Sequence, residues 1–599
     1  MQISTLHLHT QINKKKNCTL CWRLIFFCFA LFLSQTAHAQ ANAEHISYSR
    51  IYDFLDELAN DGIIELNSSI KPYSKNFIAS KLQEAQKADS LLTKRQKGDL
   101  VFFMQNYALF YQNFPTSHLP LVQKNAWNVA LVEPAVHYKD NLVSAKITPL
   151  LGMHIYSNRH GAITHRWFGA DMYMNIGKNI AVYGSLRDNS YSGEYLSSLP
   201  VNAARLSQPA YLNDLPGVEY KEANYGGDFS DSRGGITLHN EWGSIGLIKD
   251  NVSWGDNYNG SNILSGRAPS FPMITMKLKP TSWFELNYIH GFLISNVLDS
   301  SYYYIEQHTI DGEKKQYRPM NKFVAANMLT FTPIPKLNIS VGNAIVYAER
   351  SIQPAYLIPI AFYKSIDHLL TKGIKTENQN SQFFINVSSR NIKHLHLYGS
   401  MFVDEIKFSR FLPSNPETNP ISYKGGFHLS NFPISNLSFT TEFTYSTMVN
   451  YKHSIESLTW ASNSYNLGHY LGDNSQELFV SLQYKPIQKL SVQLAYMHAL
   501  HGNEYLYIRR SVKEVISQPV LQDITWSNNR LISKASYELW NNAYAIASVE
   551  YNHAKGYNVT STPIEAEIRK DAQGYLDMYS PAFYQGQNIT YTIGFSLGF

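Results

Sequence analysis

Five side chains in one Gly/Asn-rich stretch, near 251–271, have the chemistry needed to bind carbohydrate. They are Trp254, Asp256, Tyr258, Asn262 and Arg267. Aromatic faces stack on the apolar C–H surface of sugars, carboxylates and amides hydrogen-bond to hydroxyl groups, and arginine binds acidic groups through two parallel hydrogen bonds. A second interpretation remains open, in which Gly and Asn turns stabilise a loop that Trp254 and Tyr258 anchor at a membrane surface.

Two pairs of adjacent charged residues, Glu349 with Arg350 and Asp404 with Glu405, are candidates for a charge network. Neighbours on a strand point to opposite faces, so Asp404 and Glu405 cannot act together as a general acid and base. We expect the four residues to pair with other charges in the lumen of a closed sheet. The alternative is a position near a strand end, beyond the hydrocarbon of a membrane, where a charge costs little.

Motifs for catalysis and for metal binding are missing from the sequence. There is no Gly-rich phosphate loop, no GxSxG and no HExxH. His394 and His396 would share a strand face, but no third metal ligand can be named. We therefore predict no catalytic residue, no metal and no cofactor. The absence of a basic surface interleaved with aromatic residues predicts no nucleic-acid partner.

The first 39 residues have the layout of a secretory signal peptide. Lysines at 14–16 precede an apolar run at 24–33, and the small-x-small site at 37–39 predicts cleavage after Ala39. The apolar run is about half the length that a membrane-spanning helix needs. All three cysteines lie inside this segment, so disulfide bonds and Cys-ligated zinc are excluded from the mature chain.

The composition favours a membrane protein that crosses the bilayer with strands. The chain has 41 Tyr, 31 Phe and 9 Trp, but only 16% charged residues and a net charge of +5. The mature chain contains no apolar run long enough for a transmembrane helix, which excludes a helical membrane protein. Abundant aromatic residues suit a barrel that faces lipid and has two membrane–water interfaces.

A helical period of apolar residues extends from about 47 to 113. The spacing predicts a first helix from Tyr48 that ends at Gly62, a second that starts near Ser74, and a third capped by Thr93. The other faces of these helices are polar, so we expect them to pack on protein rather than on lipid. The pattern predicts a small helical module.

Beyond about residue 125 the apolar period becomes two. Leu437, Phe439, Phe443 and Tyr445, for example, alternate with Ser438, Thr440, Glu442 and Thr444. Tight turns alternate with long connections near 190–231, 251–271, 297–319, 351–380, 408–420, 450–475, 503–525 and 556–586, which is the asymmetry of outer-membrane barrels. Counting from 143–156 to 588–599, we predict 18 strands, with the weakly alternating stretch 127–140 as a source of two more.

The end of the chain alternates without a break and finishes on an aromatic residue. Tyr591, Phe595 and Phe599 lie on one face of this segment. This resembles the C-terminal insertion signal that the barrel-assembly machinery recognises in outer-membrane proteins. We therefore expect that machinery to be a partner during biogenesis.

Short motifs in a fixed order connect the chain to one known family. They are WG at 254–255, NILSGRAPSFP at 262–272, KPTSWFE at 279–285, YIHG at 288–291, YAE at 347–349, YLIP at 356–359, NQN at 378–380, LYG at 397–399, DE at 404–405 and PYS at 72–74. Their order and spacing resemble the capsule-assembly Wzi family. The resemblance implies an 18-stranded barrel, plugged or narrowed from the periplasmic side by helices, that helps to hold surface polysaccharide at the cell exterior.

The sequence thus predicts an all-β transmembrane antiparallel barrel with a small N-terminal α-helical domain in the periplasm. The expected boundaries are a signal peptide at 1–39, a helical module at 40–125 and an outer-membrane barrel at 126–599. The expected function is non-enzymatic binding or organisation of surface polysaccharide, with outer-membrane lipid and polysaccharide as partners. A porin-like diffusion channel and an outer-membrane hydrolase are the alternatives.

Overall fold

The computed structural model describes most of the chain beyond residue 41. The described residues are 42–110, 120–124, 127–130, 134–193, 221–223, 226–308, 312–372, 378–463, 465–503, 516–559 and 570–598. The predicted signal peptide and the terminal Phe599 lie outside the described residues.

Eighteen antiparallel strands of the described chain form one closed barrel, as the sequence predicts. In chain order they are β1 (Val143–Asn158), β2 (Gly161–Ile176), β3 (Ile180–Ser192), β4 (Gly226–Asn240), β5 (Gly243–Asp250), β6 (Phe271–Leu278), β7 (Phe284–Leu293), β8 (Lys322–Ile334), β9 (Leu337–Tyr347), β10 (Gln379–Ser389), β11 (Leu395–Val403), β12 (Ile421–Ser430), β13 (Leu437–Ser446), β14 (Ser475–Tyr484), β15 (Leu490–Gly502), β16 (Ile524–Trp540), β17 (Ala543–Gly556) and β18 (Gly586–Leu597). The last strand pairs with the first, from Tyr591 opposite Ser157 to Leu597 opposite Leu151, and this pairing closes the wall.

The alternation of side chains along each strand separates lipid from lumen. On β18, Tyr591 and Ile593 point outward and are 57% and 62% exposed, whereas Thr590 and Ser596 point inward and are buried. On β13, Glu442 belongs to an inward, buried set that also includes Ser438, Thr440, Thr444 and Ser446. An apolar outer face and a polar inner face are what a membrane barrel requires.

The two ends of the barrel differ in the length of their connections. One end, called the short-turn end below, has tight turns such as 177–179, 335–336 and 541–542, and Lys336 and Asn542 adopt left-handed backbone conformations there. The other, called the long-loop end, has every long connection predicted from the sequence. The turns at 241–242 and 431–436 also lie at the short-turn end.

Three short strands extend the wall at the short-turn end, next to the place where β1 and β18 close the barrel. Strands Pro120–Lys124, Trp127–Ala130 and Ala135–Lys139 pair in sequence, and the last of them pairs with β1 between Ser144 and Ile147. This edge of β1 lies beyond the pairing with β18. The weakly alternating stretch 127–140 therefore extends the wall at the short-turn end and adds no spanning strand.

Three helices precede the barrel and form the helical module. They are α1 (Ser49–Asn60), α2 (Lys75–Lys87) and α3 (Lys94–Asn106), and the 3-10 turns Asp89–Leu91 and Ala108–Phe110 follow α2 and α3. Ser74 accepts a hydrogen bond from the Phe77 backbone N–H, and Thr93 forms a capping box with Gln96. The predicted caps are therefore observed. Apolar side chains of all three helices share one core.

The long connections contain the remaining elements. These are the helices α4 (Tyr363–Leu370) and α5 (Ala572–Tyr579), the 3-10 turns Pro354–Leu357, Phe408–Phe411, Glu456–Leu458 and Ala582–Tyr584, and the short strands Lys221–Ala223, Ser253–Trp254, Leu264–Ser265, Leu298–His308, Gly312–Pro319, Ala461–Ser462 and Tyr465–Asn466. Among the described residues, no helix has the length and apolar character needed to cross a bilayer.

Candidate functional site

Residues 251–270, called the inner loop below, fold into the barrel lumen. The strand Ser253–Trp254 pairs on one side with Ile70–Lys71 of the helical module and on the other with Leu264–Ser265. This small inner sheet is separate from the wall. Trp254 is 2% exposed, and its ring lies against Phe384 of β10. The inner loop is thus part of the barrel core.

Asp256 binds both the wall and the helical module. Its carboxylate accepts hydrogen bonds from the Asn386 amide of β10 at 2.8 Å and from the Ser68 hydroxyl. Its backbone N–H donates to the same amide at 3.0 Å. Arg390, next to the end of β10, donates to Ser68 and to the Asp56 carboxylate of α1, both at 2.8 Å. The carboxylate therefore has protein partners and is 1% exposed as a residue.

Glu442 of β13 fixes the tip of the inner loop. It accepts the backbone N–H groups of Tyr258 at 2.7 Å and of Asn259 at 2.9 Å. Lys424 of β12 pairs with the same carboxylate at 2.9 Å. The Tyr258 ring stacks on His428, with ring centroids 4.4 Å apart. A buried carboxylate that binds two amides and an ammonium group holds the loop backbone in one position.

The last two of the five candidate residues, Asn262 and Arg267, also contact protein groups inside the barrel. The Asn262 amide donates to the Ser422 carbonyl at 3.0 Å and accepts from the Ser400 hydroxyl at 2.6 Å. The Arg267 guanidinium lies 5.2 Å from the ring centroid of Tyr470, a cation–π distance. Both contacts are with residues of the wall or of connections folded inward.

The expected location of the five candidates in an exposed loop is therefore wrong. Trp254, Asp256, Tyr258, Asn262 and Arg267 come together, but in the lumen and against protein. The physical reason is that these residues supply hydrogen-bond partners to the polar inward residues of β10 to β13, such as Asn386, Ser422 and Glu442. Sugar binding by these residues stays a prediction that the geometry does not favour.

A second long connection, residues 447–474, also folds inward. Trp460 is completely buried and donates its indole N–H to the Ile263 carbonyl of the inner loop at 3.1 Å. Tyr451 donates to the Asn262 carbonyl at 2.7 Å. The two inward connections share an apolar core with the inward residues of the wall, among them Phe402. The lumen is therefore filled by protein at this level.

The predicted lumenal network of Glu349, Arg350, Asp404 and Glu405 is not observed. Each residue follows the end of its strand at the long-loop end, where Arg350 is exposed. Glu405 pairs with Lys407 at 3.0 Å and with Arg410 at 3.3 Å, both in its own connection. Glu349, Arg350 and Glu405 lie near strand ends, which is the alternative that the sequence left open. Asp404 is buried, and its carboxylate lies beside the inward-pointing Gln382 amide of β10 rather than beside a cation.

The observed lumenal charges connect the helical module to the wall. Glu57 of α1 pairs with Arg95 of α3 and with Lys485, which follows β14, at 3.0 Å for the lysine. Burial opposes ionisation of Glu57, but Lys485 and Arg95 lower its pKa to about 2. Arg50 of α1 pairs with Glu538 of β16 at 3.1 Å. Charged residues at inward strand positions, such as Glu442 and Glu538, were the sequence signal for this network.

An exposed two-stranded ribbon rises from the long-loop end. It consists of the strands Leu298–His308 and Gly312–Pro319, which pair with each other and with no other strand of the described chain. Tyr302, Tyr303, Tyr304 and Tyr317 are each between 41% and 53% exposed. The sequence predicted only a long connection here, although three consecutive tyrosines were a visible signal.

Cations accompany the ribbon tyrosines. The Lys315 ammonium lies 4.5 Å from the ring centroid of Tyr303, and the Arg318 guanidinium lies 5.1 Å from that of Tyr302. Tyr303 and Tyr317 are paired across the ribbon, with ring centroids 5.9 Å apart. Exposed rings beside fixed cations form a surface that can stack on sugars and attract acidic groups.

One Ser-His-Asp grouping occurs in the lumen. The Ser388 hydroxyl lies 2.8 Å from His396 Nε2, and Asp256 lies 3.6 Å from the same nitrogen. In a catalytic triad the carboxylate orients the opposite ring nitrogen. Ser388 and His396 are at most 1% exposed. No set of three or more potential metal ligands was found among the described residues. The grouping fits a role in core packing.

Comparison with known proteins identifies the family. The profile of the family described as "Capsule assembly protein Wzi" matches residues 191–564, which is more than half of the chain. The chain belongs to this family. No curated protein sequence matches the chain.

Several solved structures are similar to the chain. Wzi of Escherichia coli, described as a carbohydrate-binding β-barrel of the outer membrane involved in group 1 capsule assembly, is similar with a TM-score of 0.53 and 12% identity, over 94% of this chain and 100% of that chain. Pseudomonas aeruginosa OpdK, solved with vanillate, has a TM-score of 0.38 and 10% identity, over 76% and 98% of the two chains. P. aeruginosa OccD3 has a TM-score of 0.39 and 10% identity, over 81% and 96%. The Wzi match confirms the predicted fold, and the family together with the lipid-facing wall places the chain in the outer membrane.

Proposed function

We propose that this Wzi-family barrel binds or organises surface polysaccharide at the cell exterior, without catalysis. The observation that carries the proposal is the ribbon of exposed tyrosines and cations at the long-loop end. Family membership supplies the connection to capsule assembly. The filled lumen supports a platform for surface binding more than a wide pore.

The ribbon suits a polymer better than a small molecule. Tyr303 and Tyr317 lie on one face of the ribbon, and Tyr302 and Tyr304 lie on the other, because successive residues of a strand alternate. Rings on both faces give repeated stacking positions along an extended chain. Lys315 and Arg318 add attraction for carboxylates of acidic sugars. Many weak contacts along one polysaccharide chain together give a higher avidity than any single contact.

The proposal orients the barrel with the long-loop end outside the cell and the short-turn end in the periplasm. Short periplasmic turns and long extracellular loops are typical of outer-membrane barrels. Cleavage after Ala39 would leave a mature chain that begins with the helical module, which plugs the lumen from the periplasmic end. The contact of His394 in a short turn with Asp61, at 2.8 Å, supports a module seated at that end.

Biogenesis by the barrel-assembly machinery belongs to the same proposal. Tyr591 and Phe595 point outward from β18 and are 57% and 45% exposed, which leaves them accessible to an insertion factor before lipid covers them. Phe599, the terminal member of the proposed signal, lies outside the described residues.

Replacing ribbon tyrosines tests the function. The double variant Tyr303→Ala/Tyr317→Ala removes both rings of one stacking face, and we expect about fivefold to hundredfold weaker binding, from about 0.5–1.5 kcal/mol for each of the two aromatic contacts. Binding is measured by retardation in gels that contain polysaccharide extracted from the source cells, and against panels of uronic-acid and neutral polysaccharides. Lys315→Ala/Arg318→Ala should weaken only the acidic class.

The matched control is Tyr537→Ala, which removes a tyrosine of similar exposure from the outer face of β16. It should leave binding unchanged. Unaltered retention by both ribbon variants, with correct insertion shown by heat-dependent gel migration, would refute the proposed role of the ribbon.

A further inference from the structure

The outer wall at β7 to β9 carries polar side chains at lipid-facing positions. Tyr288, Asn327 and Asn343 are direct cross-strand neighbours, and Asn343 pairs with Phe383 of β10. Directly paired residues lie on the same face of a sheet. Phe383 points outward and is 38% exposed, so the two amides also point outward. Unpaired amides in hydrocarbon are costly.

These amides are covered by a segment of the next long connection. The segment 354–370, called the flap below, combines the turn Pro354–Leu357 with α4. Both side-chain amides donate to the Ala361 carbonyl of the flap, Asn327 at 2.8 Å and Asn343 at 3.2 Å. The Tyr288 hydroxyl donates to the Tyr356 carbonyl at 2.9 Å. The flap thus supplies the acceptors that lipid lacks.

Apolar packing attaches the underside of the flap to the same wall. Tyr356 and Tyr363 are fully buried against Ile345 and Tyr347 of β9 and Phe323 of β8. The five side chains form a core on the outside of the barrel, distinct from the core in the lumen. The flap is therefore fixed to the outer wall.

The outer side of the flap is apolar and has no cover within the described chain. Ile358, Ile360, Phe362 and Leu369 are 49%, 63%, 54% and 73% exposed. Large exposed apolar side chains in one short segment mark a surface for lipid or for another protein. Lys364 of α4 is also exposed.

We propose that the flap lies in the membrane and that acyl chains of the bilayer cover its outer surface. The flap is continuous with the lipid-facing belt, because Phe383, which borders the covered amides, is itself outward and exposed. It forms an interfacial element in which apolar residues contact lipid tails and Lys364 reaches toward phosphate headgroups. At this sector of the wall the barrel meets lipid through the flap.

Site-specific labelling tests the flap. The chain beyond residue 28 has no cysteine, so single cysteines at Ile360→Cys and Leu369→Cys give unique labels. The full protein is inserted into phosphatidylcholine–phosphatidylglycerol vesicles, and the collision of a nitroxide label with oxygen and with a water-soluble nickel chelate is measured. Ile593→Cys on the outer face of β18 is the lipid control, and Leu91→Cys in the helical module is the water control.

We expect both flap labels to resemble Ile593→Cys, with an oxygen-to-nickel collision ratio several-fold above that of Leu91→Cys. A bimane label at the same positions should lose fluorescence in vesicles of brominated phosphatidylcholine. Values equal to those of Leu91→Cys would overturn the proposal, because the flap would then lie in water. Protection from both oxygen and nickel would also overturn it, since a second copy or another protein would be the cover.

Discussion

Asp404 shows how one residue at the long-loop end responds to its surroundings. It follows β11, and its carboxylate lies 3.4 Å from the Gln382 amide. Burial is the largest cause that raises the pKa of Asp404, to about 7, and the nearby Asp473 adds to it. Hydrogen bonds from Asn380 and Gln382 oppose the shift only in part. The folded protein therefore favours the protonated acid near neutral pH.

Replacing Asp404 should stabilise the protein in a pH-dependent way. An acid with a pKa of about 7 when folded and about 3.9 when unfolded costs stability progressively as pH rises from about 4 to 7, and the full cost persists above pH 7. Asp404→Asn mimics the protonated form. We expect a higher melting temperature than wild type at pH 8 and no difference at pH 4, measured by heat-dependent gel migration.

Glu405 provides a control, because its pKa is shifted in the opposite direction to that of Asp404. Lys407 and Arg410 lower the pKa of Glu405 despite its partial burial. Glu405→Gln removes these pairings, so its small effect at pH 8 should be destabilising and should fade as the pH falls. An equal change in both variants, or a gain for Asp404→Asn at pH 4, would contradict the assignment of the raised pKa.

At the scale of elements, buried ion pairs hold the helical module in the barrel. Arg390→Met leaves the Asp56 carboxylate of α1 without the guanidinium that now lies 2.8 Å away. A buried charge that loses its partner costs about 3–5 kcal/mol. We expect that loss in the free energy of unfolding, measured by urea titration in detergent, together with faster tryptic cleavage in the module.

The double variant Arg390→Met/Asp56→Leu should recover most of this stability, because both charges are then gone. The exposed pair between Lys97 and Asp89 is the control, and Lys97→Met should cost no more than about 1 kcal/mol. A double variant as unstable as Arg390→Met would show that the ion pair does not connect module and wall.

The elements that sequence predicts well are those with a local physical signal. The caps Ser74 and Thr93 mark the starts of helices, and the alternation along β13 and β18 marks strands. The inner loop has no such signal. Asp256 is hydrogen-bonded to Asn386, 130 residues later in the chain, and Tyr258 is hydrogen-bonded to Glu442, 184 residues later. Gly and Asn turns predict a loop, but not whether that loop folds into the lumen or away from it.

The flap was missed for a related reason. Residues 356–362 are mostly apolar without a clear period, and α4 has only eight residues. Its partners Asn327 and Asn343 are polar residues at outward positions, which a simple rule of apolar-out and polar-in cannot explain. Such exceptions in the alternation are the available signal for a covered sector of wall.

For the whole molecule, the filled lumen determines permeability. The inner loop, the connection 447–474 and the helical module occupy the interior of a barrel whose 18 strands could otherwise surround an aqueous channel. A cavity remains near the short-turn end, lined by charged residues such as Lys75, Lys146 and Asp171 and by apolar ones such as Leu150 and Leu597. This arrangement favours a plugged barrel over the porin-like alternative.

Planar-bilayer recording separates the two alternatives. We expect little conductance from the intact protein and steady, larger conductance after deletion of 44–120, because that deletion removes the module and frees the inner loop. Heat-dependent gel migration of the deleted variant confirms that the wall has formed. Large steady conductance from the intact protein would instead support the channel.

The contacts of α1 also set the order in which the protein can mature. Arg390 follows its partner Asp56 by 334 residues. Glu538 follows its partner Tyr48 by 490 residues. Because a chain is synthesised from its N-terminus, α1 exists before either partner, and it can take its final position only after most of the barrel wall has been made.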